Sequence, residues 1–131
     1  CLYPDMASCF IMLDKANKEN GCLKVLKGSH RVGRISHERS DTPEQTADNE
    51  RIRELEKRHE SVYIEAEPGD ALFFHANLLH SSDANKSQNS RRTLIVCFNT
   101  KSNNPYKEIG HASYNQLKVA NHNSIMEYKI D

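Results

Sequence analysis

A mainly β fold, a β-sandwich or barrel-like jelly roll with one inserted helix, is what this sequence predicts. Three observations carry that expectation: several short apolar or alternating segments, turn-forming residues between them, and one charged stretch that opens on a helix-capping pattern.

The first predicted strand is Ser8 to Leu13, rich in apolar residues and followed by a polar turn, Asp14 to Gly21. That turn ends in Asn20-Gly21, two residues that tolerate positive φ. Cys22 to Leu26 alternates apolar residues with lysine, as a half-buried strand does. Together the two segments predict a hairpin. A glycine-bracketed polar loop, Gly28 to Gly33, comes next. Thr42-Pro43-Glu44-Gln45 then has the form of a capping box, with a side-chain cap, Pro at the first helical position and Gln three residues after the Thr. Ile52 and Leu55 follow at helical spacing in a charged background, which predicts a solvated helical excursion over about 43–59.

Val62 to Ala66 alternates again, and Pro68-Gly69 stands in the order of a type II turn. A fourth strand is expected from Ala71 to His75, continuing through Leu78 and Leu79 to His80. After the polar loop Ser81 to Ser90, the last strand runs from Arg91 to Phe98. An irregular tail covers about 100–131.

Composition narrows the function classes. The chain has 131 residues, 37% of them hydrophobic and none of them Trp, enough for one domain with a modest core. Lys plus Arg and Asp plus Glu both number 18, a net charge of +0, which argues against a nucleic-acid binder that works by neutralising phosphates. Apolar runs such as Ala71 to Phe74 are far too short to span a bilayer, so no membrane partner is expected. Cys1, Cys9, Cys22 and Cys97 form no Cys-x-x-Cys pair, and three of them lie in strand-like surroundings. They read as small buried hydrophobes in a reducing, cytoplasmic compartment.

The candidate site lies around the last two strands. His80 ends one strand and Arg91 begins the next, so a hairpin between them would bring the two near each other. Alternation puts Arg91, Thr93, Ile95 and Cys97 on one face of the last strand and Arg92, Leu94, Val96 and Phe98 on the other. Both faces are mostly apolar, as expected where both are covered. A guanidinium beside apolar walls needs a partner, and its planar fork is matched best by a carboxylate, either an external one or an Asp elsewhere in the fold. His80 alone reads as an ordinary histidine near a strand end. A His75–His80 metal pair is disfavoured, since residues five apart on one strand face opposite sides.

Asn20-Gly21-Cys22-Leu23, Gly28-Ser29-His30, Pro68 through His75, Leu79-His80-Ser81-Ser82 with Asn85, and then Arg91 resemble, in that order and spacing, the phytanoyl-CoA dioxygenase family, which includes ectoine hydroxylase. The resemblance runs from Cys1 to about Tyr106. It implies a double-stranded β-helix, a cupin-like jelly roll. It also implies Fe(II) held by a His-x-Asp pair and a distal His, with 2-oxoglutarate as cosubstrate. On this resemblance the distal His matches His80, and the 2-oxoglutarate-binding Arg matches Arg91, eleven positions on. Ser82 matches a hydroxyl that helps hold the same carboxylate, and Thr93 occupies the second position of the Arg-x-Ser/Thr pair used for that purpose. The implied reaction takes O₂ and a small-molecule substrate, hydroxylates the substrate, and yields succinate and CO₂. The family also puts the Gly28-Ser29-His30 loop near the mouth of the site, which makes His30 a candidate substrate contact beside the plainer reading of a turn residue bonded to backbone.

One departure is clear. None of the seven histidines is followed two positions later by Asp, so one of the three expected protein ligands is present. The family's pair would lie just before Cys1. Residues 1–131 are therefore expected to be the C-terminal portion of a single oxygenase domain, incomplete at its N-terminus, weak in Fe(II) binding and inactive alone. Its exposed sheet edges would seek a partner chain, as in a homo-oligomer. Two alternatives accompany this reading: a halogenase of the same family, and a non-catalytic jelly-roll binding module.

Overall fold

The computed structural model describes residues 3–38, 46–103 and 115–124. In chain order the elements are β1 (Met6–Met12), β2 (Leu23–Leu26), a single 3-10 turn (Ser29–Arg31), β3 (His37–Glu38), β4 (Thr46–Ala47), α1 (Asn49–Glu56), β5 (Ser61–Ile64), β6 (Ala71–His75), β7 (His80–Ser82) and β8 (Thr93–Asn99). The chain is thus mainly β with little helix, as its residues predict.

Two three-stranded sheets, ordered β6-β1-β8 and β5-β2-β7, are antiparallel throughout. They are stacked, because residues of both meet in the core. Phe10, Met12, Leu72 and Phe74 of the first sheet pack with Cys22, Leu23, Val25 and Ile64 of the second sheet and its approach. Cross-strand register fixes which side chains face inward. Phe10 lies opposite both Leu72 and Ile95, and Met12 lies opposite Thr93. Directly paired residues share a face, so Thr93, Ile95 and Cys97 turn toward the second sheet. On that sheet His80 pairs with Val25 and Ser82 with Leu23, so both point back toward the first.

Several expectations change here. β1 and β2 are not a hairpin: they belong to different sheets. The connection between them is anchored by the Ala16–Ala66 bridge and by Asn20, whose side chain accepts from the Asn17 N–H and donates to the Lys15 carbonyl. These bonds carry the chain from one layer into the other. Of Asn20-Gly21, only Gly21 has positive φ, at 77°, and a Cβ there would stand 2.4 Å from the Asp83 carbonyl oxygen.

The expected strand from Ala71 to His80 breaks after His75, where the Asn77 N–H donates to His75 Nδ1 and the Leu78 N–H to the His75 carbonyl. His80 starts a new strand in the other sheet, so the proposed hairpin between it and Arg91 is absent.

The helix begins at Asn49, with Asp48 as cap, because Thr46–Ala47 is drawn into a ladder with His37–Glu38. The capping box Thr42–Gln45 lies outside the described residues. As expected of a solvated helix, α1 has no buried residue. The type II turn holds: Gly69 has φ 94° and the Asp70 N–H reaches the Glu67 carbonyl. In the tail, Asn103 is not a surface residue. It is buried and bonded to both peptide groups of Tyr3.

Candidate active site

β7 and β8 are edge strands, one in each sheet, on the flank away from β5 and β6. All four candidate residues lie on them or beside them: His80 and Ser82 on the inner face of β7, Thr93 on the inner face of β8, and Arg91 two positions before Thr93. Ser82 stands opposite Leu23, next to Cys22, and the charge of Arg91 acts on the Cys22 thiol. Burial pushes that thiol up, Glu65 adds to the effect and Arg91 opposes it. By register, Ser82 and Thr93 lie toward the Met12–Cys22 end of the sandwich, with His80 further along β7.

The two neighbouring arginines have different surroundings. Arg92 is held by Asp14 through Nε and Nη2, both at 2.9 Å, and its N–H bonds to the same carboxylate. That pair holds the Asp14 carboxyl down at about 2. Arg91 is half-buried, and among the described residues no carboxylate or hydrogen-bond acceptor meets its guanidinium. The carboxylate that the sequence suggested for Arg91 is found on Arg92 instead.

His80 is set firmly. Its ring stands edge-on to Phe74 at 5.1 Å and to Phe10 at 6.4 Å between centroids. Its Nδ1 lies 2.8 Å from the Leu78 carbonyl oxygen. A carbonyl can only accept, so Nδ1 carries a proton, and in the neutral ring Nε2 keeps a lone pair, the form in which histidine binds a metal. The ring thus presents one nitrogen of the kind that a metal ion binds. Among the described residues no group of three His, Cys, Asp or Glu is arranged to hold an ion. His75 turns to His30 instead, ring centroids 5.8 Å apart, which sets aside a His75–His80 pair.

A cavity of about 820 Å³ opens beside His80, walled by Met6, Val25, Val32, Arg34, Ile52 and Leu79 among others. The flank near β8 is less covered than alternation suggested, since Leu94 is 50% and Ile95 55% exposed. Cys97 is likewise exposed, while Cys9 and Cys22 are buried. Sequence reasoning missed Ser29, which is fully buried and accepts the Leu79 N–H at 2.9 Å. The motif Gly28-Ser29-His30 was the available signal, and its histidine drew the reading away from its serine.

The chain is similar to known proteins in both sequence and fold. A model described as phytanoyl-CoA dioxygenase matches residues 2–93. Phytanoyl-CoA dioxygenase 1 of Oryza sativa subsp. japonica is 35% identical over 105 residues, covering 72% of this chain and 34% of the relative. Ectoine dioxygenase of Sphingopyxis alaskensis is 32% identical over 110 residues, covering 76% and 36%. The crystal structure of EctD from S. alaskensis with 2-oxoglutarate and 5-hydroxyectoine has a TM-score of 0.61 at 27% identity, over 74% of this chain and 32% of that one. The chain spans about a third of the length of these relatives.

Proposed function

The chain belongs to the phytanoyl-CoA dioxygenase family, and we propose that it contributes the distal iron ligand and the 2-oxoglutarate anchor of an Fe(II)-dependent oxygenase that hydroxylates a small molecule. The two sheets would be part of a double-stranded β-helix. The observation that carries the reading is the contrast between the arginines: Arg92 has its carboxylate in Asp14, and Arg91 is half-buried without one among the described residues. An external dicarboxylate supplies what Arg91 lacks.

In this reading Arg91 pairs with the distal carboxylate of 2-oxoglutarate, and the hydroxyls of Ser82 and Thr93 donate to the same group. His80 Nε2 holds the metal, its ring oriented by Phe74, Phe10 and the Leu78 carbonyl. Bound iron with 2-oxoglutarate and O₂ would supply the oxidising chemistry that a C–H bond requires. The residues named here bind and orient. The cavity beside His80 offers the substrate a wall of mostly apolar side chains.

Cys9, Cys22 and Cys97 are free thiols, which supports a reducing, cytoplasmic setting. No helix among the described residues is long and apolar enough to cross a membrane. The outer edges of β7 and β8 meet no strand among the described residues, so a strand-bearing partner would add there.

Titration of 2-oxoglutarate into the protein tests the reading. Arg91→Ala should weaken binding by about tenfold or more, the loss of roughly 1.4 kcal/mol. Equal affinity in both proteins would remove Arg91 from the site and the reading with it.

A further inference from the structure

We infer that Ser29 is a positioning residue for His80, acting through a single peptide group. The inference rests on His80 as a metal ligand and adds a residue that sets its geometry. Ser29 is fully buried, and its Oγ accepts the Leu79 N–H at 2.9 Å. That N–H and the Leu78 carbonyl belong to the same peptide unit. The Leu78 carbonyl, in turn, accepts from His80 Nδ1 at 2.8 Å. A hydrogen-bonded chain therefore runs from Ser29 Oγ across the Leu78–Leu79 peptide to the imidazole.

Two physical effects follow. The peptide unit is planar, so it turns as one body. Clamping its N–H at Ser29 fixes the direction of its carbonyl, and any rotation that swings the carbonyl off His80 also breaks the serine bond. Hydrogen bonds linked through a polar group also strengthen one another: an acceptor on the N–H makes the carbonyl a better acceptor for Nδ1–H. Both effects favour the tautomer that leaves Nε2 free for a metal.

The neighbouring peptides are fixed as well, which leaves the unit little other freedom. The Leu79 carbonyl accepts from the Leu26 N–H at 3.0 Å, and the Leu78 N–H donates to His75 at 2.9 Å. Ser29 is delivered by Gly28, whose φ of 82° turns the chain inward ahead of it. Gly28 and Ser29 thereby acquire a role without contact to the metal: one makes the turn, the other holds the peptide.

Long-range ¹H–¹⁵N spectra of the imidazoles test the relay without metal. The native protein should show His80 protonated at Nδ1. Ser29→Ala should mix in the Nε2–H form, and Ser29→Thr, which keeps an Oγ, should restore the native pattern. Co(II) affinity should fall in Ser29→Ala by roughly three- to tenfold, less than the ~10–100-fold loss expected when a direct partner of a ligating histidine is removed. Ser29→Cys, nearly isosteric and a weak acceptor, gives the same readout should the alanine variant not fold. A folded Ala or Cys variant with native tautomer and native Co(II) affinity overturns the inference. His80→Ala separates it from the function: if Co(II) binding survives that change while Ser29→Ala still alters the tautomer, the relay stands and the iron reading falls.

Discussion

The two flanks of the sandwich use similar residues and finish differently. On the β5/β6 flank, Tyr63, Ile64 and Leu72 close over Met12, Ala16 and Cys22, and the adjoining Leu23 and Phe74 are 6% and 8% exposed. On the β7/β8 flank, Ile95 points inward from the same sheet and is still 55% exposed, while His80 and Ser82 lie open on their strand. One flank carries the hydrophobic stabilisation, and the other keeps polar groups available to a ligand. Arg92 and Arg91 repeat the contrast at the scale of two residues: the first is satisfied within the chain, and the second is not among the described residues.

Truncation tests the contrast most directly. Leu23→Ala should cost about 2–5 kcal/mol in urea unfolding, from lost burial plus the cavity it leaves, while Ile95→Ala should cost less than about 1 kcal/mol because its side chain is already half in water. Equal losses would erase the distinction between the flanks. Gly21→Ala comes next, with an expected cost of at least about 2 kcal/mol. It forces a side chain into a positive-φ position and against the Asp83 carbonyl, where the first crossover meets the loop after β7. A variant as stable as the native chain would show that this close approach relaxes freely.

The smallest effect is electrostatic. The Asp14 carboxyl, held at about 2 by its hydrogen bonds to Arg92, lies below the ordinary carboxylate value. The contribution of the pair is then complete above about pH 4 and is lost as the pH falls through 2. NMR titration should find the Asp14 midpoint near 2 in the native protein and higher in Arg92→Ala, still short of the ordinary value because the backbone N–H of residue 92 stays on the carboxylate. A midpoint unchanged by that substitution would deny the pair its role.

The strands were legible because their signals are local: apolar residues around Lys24 marked Leu23 to Leu26, and a short, mostly apolar run after a polar loop marked Thr93 to Asn99. Their pairing was not, since the same signals suit a hairpin and a crossover to a second layer equally well. What decides between them is the Asn20 side chain and the Ala16–Ala66 bridge, contacts with residues far off in sequence. The face that Thr93 shares with Met12 agrees with simple alternation, and the carboxylate on Arg92 could not be foreseen, because Asp14 lies 78 positions away. Ser29 escaped for a related reason: its partner is a backbone N–H, and a sequence carries no mark of which peptide a serine will meet.

β1 sits at the centre of its sheet, yet its two partners come from the far side of the chain. Met6 pairs with Asn99, and Asn103 clasps Tyr3 across 100 residues. Contacts of such separation are entropically the dearest to close and slow the search for the native state. During synthesis β1 is therefore made long before β8, the strand that completes its sheet. Until β8 has been synthesised, β1 holds Cys9, Phe10 and Ile11 beside an unpaired edge, and that interval is when the chain is most exposed to aggregation.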